Sequence, residues 1–211
     1  MSFRREIKST LNKAKLSILK EWIFKNNGRT LFPDRVVNNI YFDTRNLTMY
    51  DESIEGTLPR KKIRLRSYKP DMSLEKLSKD TSLEFKISSV EGRYKISKKN
   101  YNEKLNRFDY GFRDKDYGFC KPVLNVRYLR SYYRINNIRL TVDRNINYKK
   151  IRFSKILPYS IQDKLNVVEL KYSNTDIDNE IIGFFPFQFN RFSKYCRGIE
   201  FTQKKHCDEN I

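Results

Sequence analysis

Histidine is almost missing from this chain of 211 residues, and the one present, His206, lies near the C-terminal end. That excludes a histidine-based catalytic triad and a histidine-rich metal centre. The three cysteines, Cys120, Cys196 and Cys207, are an odd number without Cys-x-x-Cys spacing, so neither a disulfide framework nor a zinc site is expected. His206 and Cys207, adjacent in a polar tail, read as incidental. Glycine and proline are scarce, at 7 and 6, and no flexible linker stands out. There is no P-loop and no glycine-rich dinucleotide turn, so any phosphate must be held by side chains rather than by a backbone cradle. No apolar run approaches the roughly 20 residues of a membrane-spanning helix, and residues 1–8 are charged rather than signal-like. A soluble, reducing, cytoplasmic setting is the resulting expectation.

Negative charge is the other shortage. Lys and Arg number 44 against 25 Asp and Glu, a formal net charge of +19. Such an excess repels itself in a compact state and calls for an anionic partner: nucleic acid, an anionic membrane, or a small polyanion such as a nucleotide or polyphosphate. Composition alone favours nucleic acid, and the bland alternative is a merely solubilising surface. Aromatics are plentiful, with 14 Tyr and 15 Phe, enough to build a real core in one domain.

Period-two alternation dominates the chain. Strands are expected over 3–8, 38–42, 61–68, 82–88, 93–98, 123–134, 138–143 and 167–172, with turn-prone stretches at 69–71, 91–92 and 136–137. The clearest helix is expected over 10–26, where Leu11, Ala14, Ile18 and Trp22, with Leu19 and Ile23, form one apolar stripe. Ser9 or Thr10 would cap it and Asn27-Gly28 would end it. Shorter helices are expected after Asp43, through Leu47 to Tyr50, and over 176–184. No repeat or composition shift marks a second domain, so residues 1–202 are expected to form one domain and 203–211 a disordered tail.

What occupies the polar side of those strands is informative. In Lys62-Ile63-Arg64-Leu65-Arg66 the cations share one face and the aliphatics the other. Leu83-Glu84-Phe85-Lys86 and Val168-Glu169-Leu170-Lys171 place a carboxylate and an ammonium together, as do Arg4, Glu6 and Lys8. Arg139, Thr141 and Asp143 make a further face of this kind. Alternation alone favours a solvated outer face. Recurrent cations punctuated by single carboxylates also suit metal–phosphate chemistry, since cations neutralise phosphate oxygens and carboxylates hold the bridging divalent ion. The competing picture is a nucleic-acid sheet with Tyr128, Tyr132 and Tyr133 stacking bases beside Arg127 and Arg130. No RNP-like signature supports it, and the carboxylates would repel a phosphodiester backbone.

In order and spacing the motifs resemble the VTC domain, the catalytic module of polyphosphate polymerases within the CYTH-like triphosphate tunnel metalloenzyme superfamily. The segments are Arg4-Arg-Glu-Ile-Lys8, Ile40-Tyr-Phe-Asp-Thr44 with Tyr50, Ile63-Arg-Leu-Arg66, Leu83-Glu-Phe-Lys86, Val126-Arg-Tyr-Leu-Arg130, Arg139-Leu-Thr-Val-Asp143, Val168-Glu-Leu-Lys171 and Phe192-Ser-Lys-Tyr195. None is specific alone; their order across nearly the whole chain is, and it outweighs the solvated-face reading.

The resemblance implies an α+β chain, mainly antiparallel β: an eight-stranded barrel around a charged tunnel, with a few flanking helices. It implies transfer of the ATP γ-phosphate to a growing inorganic polyphosphate chain, assisted by Mn²⁺ or Mg²⁺. Lys8, Arg64, Arg66, Lys86, Arg93, Lys95, Arg130, Arg139, Lys171, Arg191, Ser193 and Lys194 would bind phosphate. Arg64, Arg66, Lys86 and Glu169 would carry catalysis, and Tyr128 would sit near the nucleoside. Glu169 would hold the metal, with Glu6 or Glu84 assisting. A membrane-protein partner would receive the chain, and nucleic acid would not be the main ligand. Glu6 also leaves open hydrolysis of nucleoside triphosphate or tripolyphosphate, and a non-catalytic polyphosphate- or RNA-binding module is the reading of a different class.

Overall fold

A computed structural model describes residues 5–74, 77, 80–99, 110–172 and 176–204. Phe3 and Arg4 of the first expected strand, and residues 205–211 of the expected tail, lie outside the described residues.

The strands are β1 (Arg5–Leu11), β2 (Arg29–Asp43), β3 (Arg60–Ser67), β4 (Ser82–Ser89), β5 (Gly92–Lys98), β6 (Phe112–Asp114), β7 (Gly118–Ile135), β8 (Ile138–Arg152), β9 (Lys155–Ile156), β10 (Ile161–Gln162) and β11 (Asn166–Tyr172). The helices are α1 (Leu16–Lys25), α2 (Thr48–Glu55), α3 (Asp176–Gly183) and α4 (Lys194–Ile199), the last running into a π-helical turn over Glu200–Lys204. Eight strands hydrogen-bond in the order β1-β11-β8-β7-β2-β3-β4-β5, with β6 on β7 and both β9 and β10 on β8. The registers of β1 with β11, β11 with β8, β2 with β3, β3 with β4 and β4 with β5 are all antiparallel. The mainly antiparallel class expected from the sequence is the class observed. Among the described residues no helix is long and apolar enough to cross a membrane.

The chain groups into two compact units. The first comprises Met1–Val36, Tyr128–Ile146 and Gln162–Phe192, the second Val37–Arg127, Asn147–Ile161 and Ser193–Ile211. Each has its own apolar core. In the first, Leu19, Trp22 and Ile23 of α1 pack on Leu140, Val142, Val168 and Leu170. Removing each such side chain from water contributes roughly 1.5–3 kcal/mol. In the second, Ile40 and Phe42 of β2, Ile63 and Leu65 of β3, and Leu83 of β4 pack with Met49 of α2. In both units the apolar residues are the alternate positions of strands whose other positions carry charge. Backbone pleating therefore makes one face of each strand core and turns the charged residues to the other.

Several boundaries differ from the sequence expectation. The helix expected over 10–26 begins only at Leu16, because Ser9, Thr10 and Leu11 extend β1 by pairing with Val168, Val167 and Asn166. Leu11 is buried as expected, but as a strand residue. The Asn12 side chain, not Ser9 or Thr10, accepts the Lys15 N–H at the helix start, at 3.0 Å. At the other end Asn27 takes the left-handed conformation (φ 55), and Gly28 N–H donates to Ile23 O at 2.8 Å. β8 runs nine residues beyond its expected end at Asp143. Asn145, left-handed at φ 51, breaks the alternation that sequence reading follows, and buried Ile146 and Tyr148 then resume it. β2 is longer at its start, where residues 29–35 are mostly exposed and leave no apolar period to read. α4 and its π-helical extension were not anticipated, and they take Gln203, expected in the tail, into defined structure, where its Nε2 donates to Val123 O at 3.4 Å.

α4 is set down against β7 and β8 at Gly198, where an added Cβ would come within 2.6 Å of Leu124 Cδ2 and 2.7 Å of Tyr148 Cδ1. Both neighbours are fully buried. Gly198→Ala is expected to destabilise the protein by about 1–3 kcal/mol, the usual cost of overpacking, readable as a lower urea midpoint at unchanged slope. An unaltered midpoint would show that α4 does not depend on this close approach.

Candidate functional site

On the second unit's charged face, register sets the neighbours. Across β3 and β4, Lys62 faces Lys86, Arg64 faces Glu84, and Arg66 faces Ser82. Across β4 and β5, Glu84 faces Ser97, Lys86 faces Lys95, and Ser88 faces Arg93. This face thus gathers Lys62, Arg64, Arg66, Lys86, Arg93 and Lys95 around Glu84, its one carboxylate on these three strands. Arg64 is 7% exposed, Arg66 9% and Glu84 3%. These are not solvated outer positions.

Glu84 organises its cations. Its Oε2 accepts from Arg64 Nε at 2.8 Å and Nη2 at 2.7 Å, and lies 3.6 Å from Arg66 Nη1. Its Oε1 accepts from Lys95 Nζ at 3.1 Å. Burial alone would push the carboxyl up, but Arg64, Arg66 and Lys95 outweigh that and hold it down at about 2. Outer partners fix the guanidiniums further: Arg64 Nη1 donates to Tyr41 Oη at 3.0 Å, and Arg66 Nε to Asn39 Oδ1 at 3.0 Å. Burial works to raise the Tyr41 phenol, and Arg64, Arg66 and Lys194 more than offset it, leaving it lowered.

Tyr41 stacks on Tyr195 of α4, ring centroids 5.0 Å apart. The Tyr195 hydroxyl donates to Asp43 Oδ2. Asp43, fully buried, also accepts from Thr44 N at 2.7 Å, Met49 N at 3.0 Å and Tyr50 N at 3.0 Å, which caps the start of α2. The Tyr-Phe-Asp-Thr segment is therefore a structural clasp joining β2, α2 and α4. Ser193 caps α4, accepting from Cys196 N at 3.3 Å and from Lys62 Nζ at 3.1 Å. Lys194, half-buried, follows it at the head of the helix.

In the first unit, Glu6, Lys171 and Arg139 share one rung, and Lys8, Glu169 and Thr141 the next. Lys171 Nζ lies 3.0 Å from Glu6 Oε2 and 3.1 Å from Glu169 Oε1. Burial would lower this ammonium's pKa, but Glu169 and Glu6 raise it. Lys8 Nζ donates to Phe192 O at 3.2 Å, and Asn190 N to Lys8 O at 2.8 Å, tying the segment that carries exposed Arg191 to β1. Arg130 grips Asp143 through Nε at 2.5 Å and Nη2 at 2.7 Å, and its guanidinium lies 5.3 Å from the buried Tyr128 ring. Burial opposes the Arg130 charge, while Tyr128, Asp143 and Glu169 favour it, so its pKa is raised.

The sequence-derived residues thus fall into two sets. Arg64, Arg66, Glu84, Lys86, Arg93, Lys95, Ser193 and Lys194 belong to the second unit; Glu6, Lys8, Tyr128, Arg130, Arg139, Glu169, Lys171 and Arg191 belong to the first. The sequence put Lys62 on the cationic face and Tyr41 within a motif without giving either a site role, and did not single out Asn39. Lys62 and Asn39 lie two residues from assigned or motif positions on the same face, and that spacing was the available signal.

For a divalent cation, the first unit offers hard carboxylate oxygens from Glu6 and Glu169, already gathered about one ammonium that occupies the place of a cation. Among the described residues no three His, Cys, Asp or Glu side chains form a metal cage. Two carboxylates completed by phosphate and water oxygens suit Mg²⁺ or Mn²⁺. Glu84, the other carboxylate expected to assist, lies in the second unit, where its oxygens accept from Arg64 and Lys95.

The chain is a mainly antiparallel β protein whose strands alternate core with charge, as in the CYTH-like tunnel fold. Solved structures of that fold are similar to this chain. A protein from Bacillus halodurans described as an adenylate cyclase candidate matches at 13% identity and TM-score 0.53, over 92% of this chain and 96% of its own. An adenylyl cyclase candidate from Hippeastrum, described as having a dominant triphosphatase activity, matches at 14% and 0.52, over 95% and 97%. The PH1012 protein of Pyrococcus horikoshii matches at 12% and 0.50, over 92% and 99%. No curated protein matches the sequence. The profile of the VTC domain matches residues 3–203, and the chain belongs to that family.

Glu84 makes acid stability a probe of the second unit's face. Its folded-state pKa, about 2, lies below the ordinary 4.5, so its contribution is complete above about pH 4.5 and is lost as pH falls toward 2. Glu84→Gln is expected to lose roughly 3–5 kcal/mol at neutral pH, the cost of stripping one partner from a buried pair, and to lose less than the parent between pH 4.5 and 2. Parallel urea-derived stability curves for the two proteins across that window would contradict this pairing.

Proposed function

We propose that this chain is a metal-dependent phosphotransferase that moves the γ-phosphate of ATP to the end of an inorganic polyphosphate chain. The observation that carries the reading is the preorganised cation set around buried Glu84, with Arg64 and Arg66 buried and Lys95 at the exposed edge. One carboxylate fixes Arg64 and Lys95 by hydrogen bonds, yet the strand face retains a large positive excess that calls for a polyanion.

In the proposed reaction an ionised oxygen of the terminal polyphosphate group attacks the γ-phosphorus, the bond to the β–γ bridging oxygen breaks, and ADP departs with that oxygen. The nucleophile is already deprotonated at neutral pH, so no general base is required. Arg64, Arg66 and Lys86 neutralise the transferring group, and Lys62, Arg93, Lys95, Ser193 and Lys194 hold flanking phosphates. On the first unit, Lys8, Arg130, Arg139, Lys171 and Arg191 would bind phosphate, and Tyr128 would lie toward the nucleoside. Glu169 and Glu6 would hold Mn²⁺ or Mg²⁺, which supplies charge neutralisation to phosphate oxygens when bound. A cytoplasmic setting and a membrane partner that accepts the product belong to the same proposal.

Hydrolysis is the second reading. Glu6, on the same rung as Lys171, adds a second carboxylate beside Glu169, and triphosphatase activity is described for the Hippeastrum protein of the same fold. Water would then replace the polyphosphate oxygen as attacking group. A nucleic-acid-binding role is disfavoured by the carboxylates spread along the first unit's face.

Purified protein incubated with ATP and Mn²⁺ and assayed separately for polyphosphate, ADP and free phosphate decides between them. Polymer with matching ADP is expected; free phosphate without polymer would establish the hydrolase. Glu169→Gln should abolish metal-dependent turnover while sparing most tripolyphosphate binding, whereas Arg64→Ala should weaken binding by about 1–3 kcal/mol. Neither product, combined with salt-sensitive binding indifferent to Mn²⁺, would sink the enzymatic reading in favour of a binding module.

A further inference from the structure

One polar group on the first unit's charged face is unspent. Thr141 lies at the middle of the β8 run Arg139-Leu-Thr-Val-Asp143, directly across from Glu169 on β11, which pairs in turn with Lys8 on β1. The residue is 4% exposed, and its Oγ1 is buried without a hydrogen-bond partner among the described residues. Its neighbours on either side are engaged in a different way: Asp143 holds Arg130, and Lys171, the partner of Arg139 in the register, joins Glu6 to Glu169.

A buried hydroxyl without a partner loses its hydration and gains nothing in return. Most threonines avoid this by bonding the nearby backbone or by facing water. The register gives Thr141 no such escape, because it holds the side chain on the charged face, away from the core formed by Leu140 and Val142. Valine has the same shape and the same β-branched preference for a strand, so strand formation and packing do not call for the hydroxyl. The face is open to ligand along β1 and β11, where the side chains of Lys8, Glu6 and Lys171 keep 26%, 22% and 36% exposure.

We infer that Thr141 is a direct binding residue whose hydroxyl donates to a phosphate oxygen of the bound polyanion, beside the Glu169 carboxylate. This rests on the phosphate-binding reading above. The hydroxyl is a neutral donor among ions. It can satisfy a phosphate oxygen without adding to the repulsion among Lys8, Arg130 and Arg139, and without competing with Glu169 for a cation.

The test pairs the stability of the free protein with affinity for tripolyphosphate, using the full chain with and without Mn²⁺. Thr141→Val should leave the melting temperature of the free protein unchanged or raised, because it removes an unsatisfied buried group. Its affinity for tripolyphosphate in calorimetry should fall about tenfold, the scale of one hydrogen bond to a charged group. Thr141→Ser should restore most of that affinity. A valine variant that binds as tightly as the parent overturns the assignment while leaving the phosphate-binding reading intact. A variant that melts lower with unaltered affinity shows a structural hydroxyl and also overturns it. A parent protein with no affinity for tripolyphosphate removes both the assignment and the reading beneath it.

Discussion

The hydrogen bonds that Glu84 accepts from Arg64 and Lys95 set the arrangement of the second unit's charged face. Like charges brought together on three adjacent strands repel, and burial strengthens the repulsion by lowering the local dielectric. Without an anion among them the arginines would turn outward to water, and the lysines would turn outward or lose their protons. One buried carboxylate prevents both, fixing one guanidinium and one ammonium while neutralising only a single charge. Tyr41 and Asn39 then take up the remaining donors of Arg64 and Arg66, so each guanidinium is held from two sides. The result is an incompletely neutralised set of donors whose positions are settled before any anion arrives, which lowers the reorganisation that binding and catalysis would otherwise require.

The first unit uses the same pleated alternation with a different charge balance. Its face sets Lys8, Arg130, Arg139 and Lys171 against Glu6, Asp143 and Glu169, so cations and carboxylates nearly match. A face of that composition has little net pull on a polyanion but offers oxygen ligands to a divalent cation. A strongly cationic face suits phosphate, and a balanced one suits a metal held beside phosphate. That difference follows from which residues occupy the alternate positions of seven strands, while opposite positions of β1, β3, β4, β8 and β11 contribute to the two cores.

How much of this was legible follows from what a two-residue period can encode. It placed Arg64 with Arg66, and Glu169 with Lys171, on common faces, because pleating fixes that within one strand. It could not tell a solvated face from an enclosed one, since both alternate identically; Arg64 at 7% exposure settles that point for its strand. The family resemblance rested on motif order across the chain, information that no single segment holds. The Asp43–Tyr195 clasp and the Lys62–Ser193 contact lay beyond reach, because each joins residues more than a hundred positions apart. The start of α1 was misread for a related reason. Leu11 satisfies a helical stripe and a strand alternation equally well, and only pairing with Asn166 selects the strand.

The Lys171 ammonium imposes a condition on any metal at the first unit's face. Glu6 and Glu169 both lie within 3.1 Å of it, and together they hold it charged against burial. A divalent cation seeking those oxygens must therefore displace an ammonium already in hydrogen-bonding range. Metal affinity is then the difference between two competing interactions rather than the sum of two carboxylate bonds. The competition also has a chemical consequence, because an ammonium released from two carboxylates becomes a donor free to meet phosphate. Occupation of the carboxylates by a metal and availability of Lys171 to an anion would then be linked across two neighbouring rungs of the sheet, and linkage of this kind acts equally in both directions.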